Sequence, residues 1–68
     1  MSHEKLVHMA NQIGKFFAHQ GEGAPAEIAV HLKKFWAPSM RDEIVAHLAA
    51  GGNGLDPHVR EAVEKLRK

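Results

Sequence analysis

The stretch Phe35-Trp36-Ala37-Pro38-Ser39-Met40-Arg41 holds the only Trp of a 68-residue chain, sets it beside a Phe and breaks at a Pro. Proline lacks an N–H and clashes with the preceding helical turn, but it suits the first position of a helix. The stretch therefore reads as a corner between two helices. Upstream, Ile28, Leu32 and Phe35 fall within about 60° of arc at 100° per residue, which predicts a helix over 25–36. Downstream, Met40, Ile44 and Leu48 recur every four residues and predict a helix over 38–50. Gly51-Gly52-Asn53-Gly54 follows it with residues that tolerate positive φ.

At the corner itself, Phe35 lies in the apolar stripe and is expected in the core. Trp36 is rotated by about 100° from Phe35 and falls at the edge of that arc. Trp is seldom fully buried and is enriched at binding hot spots. Arg41 sits in the first turn of its helix, where the macrodipole disfavours a cation by about 0.3–1 kcal/mol. Asp42 and Glu43 offset this in part. A residue set against its local preference points to a task elsewhere, such as a carboxylate on a partner. Two readings stay open. Either Trp36 folds over the corner and Arg41 runs solvated along Met40, or Trp36, Met40 and Arg41 form a partner interface, with Lys34 and Asn53 as its further candidates.

Outward from the corner, Leu6, Met9, Ala10, Ile13, Phe16 and Phe17 line about 120° of a helix over 2–19. Ser2 is its expected N-cap, with Glu4 in the first turn. Gly14 interrupts this helix off the stripe at a cost of about 1 kcal/mol against Ala, which marks it for a close helix contact. "HQGEGAPAE" is a turn, and Pro25 suits the first position of the helix that follows. Beyond the Gly-rich turn, Asp56-Pro57 reads as N-cap and first residue of a helix over 57–67, with Val59, Ala62, Val63 and Leu66 inward. Lys65, Arg67 and Lys68 sit at its C-terminal end, where the dipole favours cations. No strand pattern, repeat or second domain competes. The expectation is one all-α domain over 1–68, a small bundle of four short helices.

The composition closes several routes to chemistry. There is no Cys, so disulfides, thiolate metal sites and thiol nucleophiles are absent. The six histidines, His3, His8, His19, His31, His47 and His58, include no pair at i,i+3 or i,i+4, and there is no HExxH. They read as surface or half-buried side chains. "GGNGL" lacks the Lys and the preceding strand of a phosphate loop and reads as a helix-ending turn. So short a chain has little room for a water-excluding pocket, and it reads as a non-enzyme. Nine Lys and Arg against eight Asp and Glu give a net charge of +1. That is too little basic excess for a small nucleic-acid or membrane-surface module. A helix-turn-helix over 25–50 is the alternative reading, but Asp42 and Glu43 follow Arg41 and repel phosphate. A small helical adaptor of another enzyme is a further alternative. "MSHEKLVHMANQ" has no long apolar run and does not read as a signal peptide. A cytoplasmic protein is the expectation. A core this small, without disulfide or metal, is marginal, and a bound partner is the expected support.

"KLVHMANQIGKFF", "HLKKFWAPSMR" and "GGNGLDPHVREAVEKL", in this order over almost the whole chain, resemble the delta subunit of NAD-dependent, molybdenum-containing formate dehydrogenases. The turn at 21–24 is the one clear departure. The resemblance implies a small cofactor-free subunit of a cytoplasmic complex that oxidises formate to carbon dioxide and reduces NAD. It implies an alpha subunit with a molybdenum bis-molybdopterin guanine dinucleotide centre and iron–sulfur clusters. It implies beta and gamma subunits with FMN, further clusters and the NAD site. The implied role of the delta chain is to support assembly or stability, with the alpha subunit as its partner and no part in the chemistry.

Overall fold

Three prolines and a Gly-rich turn set where the helices start and stop. The computed structural model describes residues 3–67. Helix α1 spans His3–Phe17, α2 Ala24–Phe35, α3 Pro38–Ala49 and α4 Pro57–Leu66. All are α-helical, and no strand occurs among the described residues. Pro38 and Pro57 open α3 and α4, whereas Pro25 follows Ala24, the first residue of α2. The expected N-cap Ser2 lies outside the described residues.

The expected helix over 2–19 is corrected at its C-terminal end. The α-helix stops at Phe17, and the chain tightens into a 3-10 segment, Ala18–Gly23. That segment kinks at Gly21, with φ 58° and ψ −123°. Positive φ suits glycine because a Cβ would clash there, so two turns meet at Gly21 rather than one helix passing through.

The other glycine turn follows the sequence reading. Gly51 donates to the Leu48 carbonyl at 3.0 Å and Gly52 to the His47 carbonyl at 2.9 Å. This pairing closes a Schellman motif at the end of α3. Gly51, Gly52 and Gly54 all have positive φ. Asp56 occupies the N-cap position of α4, but its side chain makes no capping bond. Instead Asn11 of α1 clips this loop from outside. Its Nδ2 donates to the Gly54 carbonyl at 2.9 Å, and its Oδ1 accepts the Asp56 N–H at 3.0 Å.

The core is one cluster around Leu6, Ile28, Leu32, Ile44, Val59 and Val63, each fully buried. The most extensive contact is between α2 and α4. Helix α4 turns Val59, Ala62 and Val63 inward, as its spacing predicts, with Leu66 half-buried. Gly14 is the point where α1 meets α4. A Cβ placed there would lie 2.3 Å from Val59 Cγ2. His58 Nε2 also lies 3.3 Å from the Gly14 carbonyl. Val59 is stiff at χ1 and fully buried, so it has little freedom to yield. Gly14→Ala is therefore expected to destabilise despite its gain of about 1 kcal/mol in helix propensity. Overpacking of this kind costs about 1–3 kcal/mol. Urea unfolding checks it, and the companion Gly23→Ala, which meets nothing within 4 Å, should not destabilise in the same way.

Candidate partner interface

The corner reverses two side chains relative to the sequence reading. Trp36 is 6% exposed and belongs to the core cluster, whereas Phe35 is 71% exposed. The expectation of Phe35 as core and Trp36 at the rim is corrected on both counts. The reason is local. Trp36 still donates its N–H to the Leu32 carbonyl at 3.0 Å, so it continues the helical spiral by one step. Ile28, Leu32 and Trp36 then follow at intervals of four, each turning by only about 40°. Pro25 and Ala29, both buried, fall about 60° and 100° from Ile28 and extend the inward arc of α2 to the Trp36 side. Phe35 falls at the opposite edge, four residues after half-buried His31. Trp36 is extended, with ψ 141°, and so is Ala37, with ψ 151°, the residue that Pro38 keeps out of the helical region.

Arg41 has an internal task. Its Nη1 donates to the carbonyls of Lys33 at 3.1 Å, of Leu32 at 3.4 Å, and of Trp36. These groups close the C-terminal end of α2, where helix carbonyls lack intrahelical partners and the dipole favours a cation. A two-residue join brings the start of α3 against the end of α2. Arg41 therefore stands at the wrong end of its own helix and the right end of the preceding one. Arg60 holds the turn that follows α3, donating from Nη2 to the carbonyls of Gly51 at 3.1 Å and Gly52 at 3.2 Å. With its guanidinium on α2, Arg41 is not offered to phosphate, which removes the one base that a helix-turn-helix reading relied on.

The remaining sequence candidates divide. Met40 is half-buried and packs against the core beside this corner, while Lys34 is exposed. Asn53 belongs elsewhere. It lines an open cleft of about 340 Å³ with His3, Val7, His8, Asn11 and His47. Its carbonyl lies 2.7 Å from His47 Nε2. A carbonyl only accepts, so His47 holds its proton on Nε2. The His3 and His47 rings meet edge-on at 5.4 Å. Among the described residues, no three metal-ligating side chains gather.

The structure instead brings Phe16 and Phe35, which the sequence reading placed inward, to the surface in a row with Phe17, which still packs against the core, and His31. Phe16 is 73% exposed. Its ring meets Phe17 edge-on at 5.2 Å, Phe17 meets His31 at 5.9 Å, and His31 lies over Phe35 at 4.7 Å with a 38° tilt. The row joins the C-terminal turn of α1 to that of α2. Val30, 46% exposed, lies on the outer side of α2. One signal for this was in the sequence: at about 100° per residue Phe16 falls at the extreme edge of the apolar arc of α1, whereas Phe17 falls near its middle.

A family model described as the NADH-dependent formate dehydrogenase delta subunit FdsD matches residues 5–63, which run from the first turns of α1 into α4. No curated protein and no solved structure matches the chain.

Proposed function

This chain belongs to the family of the NADH-dependent formate dehydrogenase delta subunit FdsD, and from that premise we propose that it is a non-catalytic accessory subunit. It supports assembly or stability of the large molybdenum-containing alpha subunit in a cytoplasmic complex that oxidises formate to carbon dioxide. In this reading the molybdenum centre, the iron–sulfur clusters, FMN and the NAD site all belong to the alpha, beta and gamma subunits. The chain itself folds as one domain that completes its stability by docking. Lys34 stays beside the docked surface, next to Phe35, while Trp36, Met40 and Arg41 act from within by fixing the corner.

One observation carries this reading. Two phenylalanines stand more than 70% exposed on a domain with few large apolar residues to spend. Apolar surface left in water by so small a core is a site for a partner rather than for chemistry. The distinctive polar side chains support it too: Asn11, Arg41 and Arg60 are engaged on backbone groups of neighbouring elements.

The test is to express the complex with and without this chain. Without it, the yield of molybdenum-loaded enzyme should fall, or its activity should decay faster on warming. Addition of the chain should restore the loss, and the chain alone should not oxidise formate. Equal molybdenum loading and equal thermal lifetime in its absence would overturn the reading.

A further inference from the structure

We infer that the row Phe16, Phe17, His31 and Phe35 is the docking surface, and that its occupant is an apolar pocket with an acidic rim on a larger subunit of the complex. The inference rests on the accessory-subunit reading and adds which face docks and what it meets. Among the described residues the row is the longest run of ring contacts, four rings in sequence. Its two ends, Phe16 and Phe35, are the most exposed large apolar residues among those described. The rings are already ordered against one another, edge-on or tilted, at centroid distances of 4.7–5.9 Å. A pre-ordered aromatic row loses little side-chain freedom on binding, which is how a small surface gains affinity. Aromatic anchors of this kind dominate interface energetics.

Charge selects the occupant. Lys15 precedes Phe16 and Lys34 precedes Phe35, and both are exposed. On α2, Lys34 and Glu27 stand on the side of His31 away from Phe35, three after it and four before it. His19, in the 3-10 segment after α1, stands three residues after Phe16. The residues beside the row thus carry two lysines against one glutamate. A second copy docking face to face would bring the same lysines toward each other, because a two-fold contact repeats one patch on both sides. Like charges across an interface disfavour it, whereas carboxylates around the pocket would steer and orient the chain. The imidazole of His31, between two phenyl rings, adds a polar contact inside the apolar row.

The experiment uses the whole complex, with the chain carrying Phe16→Ser, Phe35→Ser or Lys34→Glu. Each free variant is first checked by circular dichroism; side chains this exposed should leave helix content and melting close to the parent. Retention on the complex is then measured against salt. Either Phe substitution should weaken retention by roughly tenfold or more, the scale of a hot-spot residue. Lys34→Glu should weaken it by a smaller factor that shrinks as salt rises, since exposed charges are screened. If the parent chain binds and both Phe variants bind as tightly, the face is wrong while the accessory role stands. If the parent chain does not associate at all, the accessory role fails first. Self-association of the free parent chain that Phe35→Ser abolishes would assign the face to a second copy and overturn the acidic pocket. A Lys34→Glu variant that binds more tightly at low salt would also overturn it.

Discussion

Trp36→Ala is expected to be the most damaging single truncation at the corner, at about 3–5 kcal/mol, the range for deleting a buried aromatic side chain. Domains of this size hold only about 0.05–0.15 kcal/mol of stability per residue, so the loss is comparable to the whole. Trp36 is 6% exposed and belongs to the buried cluster, so its removal opens a void in the core. Phe35→Ala, one residue earlier, is expected to change the free chain by only about 0.5 kcal/mol, as surface substitutions do. Urea unfolding followed by circular dichroism at 222 nm reads both variants. A Phe35→Ala loss equal to or larger than the Trp36→Ala loss would mean that the corner is packed the other way round.

Arg41→Ala is expected to destabilise the free chain by about 1.5–3 kcal/mol, the range for hydrogen bonds to a charged donor. Helix-dipole reasoning on α3 alone predicts the opposite sign, since Arg41 occupies its first turn. The structure decides between the two. The guanidinium reaches back to carbonyls at the end of α2, and those contacts outweigh a first-turn penalty of at most about 1 kcal/mol. Water reaches part of the site, so the lower half of the range is expected. Arg41→Lys keeps the charge but not the fork, and should fall between parent and Ala. A parent-like midpoint for Arg41→Ala would contradict the clamp.

The helix limits were legible in the sequence wherever backbone chemistry is decisive. Pro38, Pro57 and the glycines at 51, 52 and 54 act through φ, which the sequence states directly. Gly14 was legible for the same reason: a glycine tolerated in a helix interior needs a cause, and the cause is Val59. The inward face of α4 was legible from spacing. What spacing could not supply was the centre of the buried arc on α2. Large apolar residues alone placed it at Ile28, Leu32 and Phe35. Pro25 and Ala29, both buried on the other side of Leu32, shift it toward Trp36. Arg41 was noticed for opposing its own helix, and the structure gives it backbone partners at the end of the preceding helix. Asn11 and Arg60 gave no local anomaly. Their partners lie 43 residues and 8–9 residues away, at turns whose position is known only after folding.

The central claim is that Phe16 and Phe35 form the outer, docking face while Trp36 lies inside. Hydroxyl-radical footprinting, read residue by residue on the free chain and on the assembled complex, tests it most directly. The account predicts ready oxidation of Phe16 and Phe35 in the free chain and loss of that oxidation on assembly. It predicts low oxidation of Trp36 in both states, although indole reacts readily once reached by solvent. Oxidation of Trp36 in the free chain that disappears on assembly, with Phe16 and Phe35 unchanged, would contradict it.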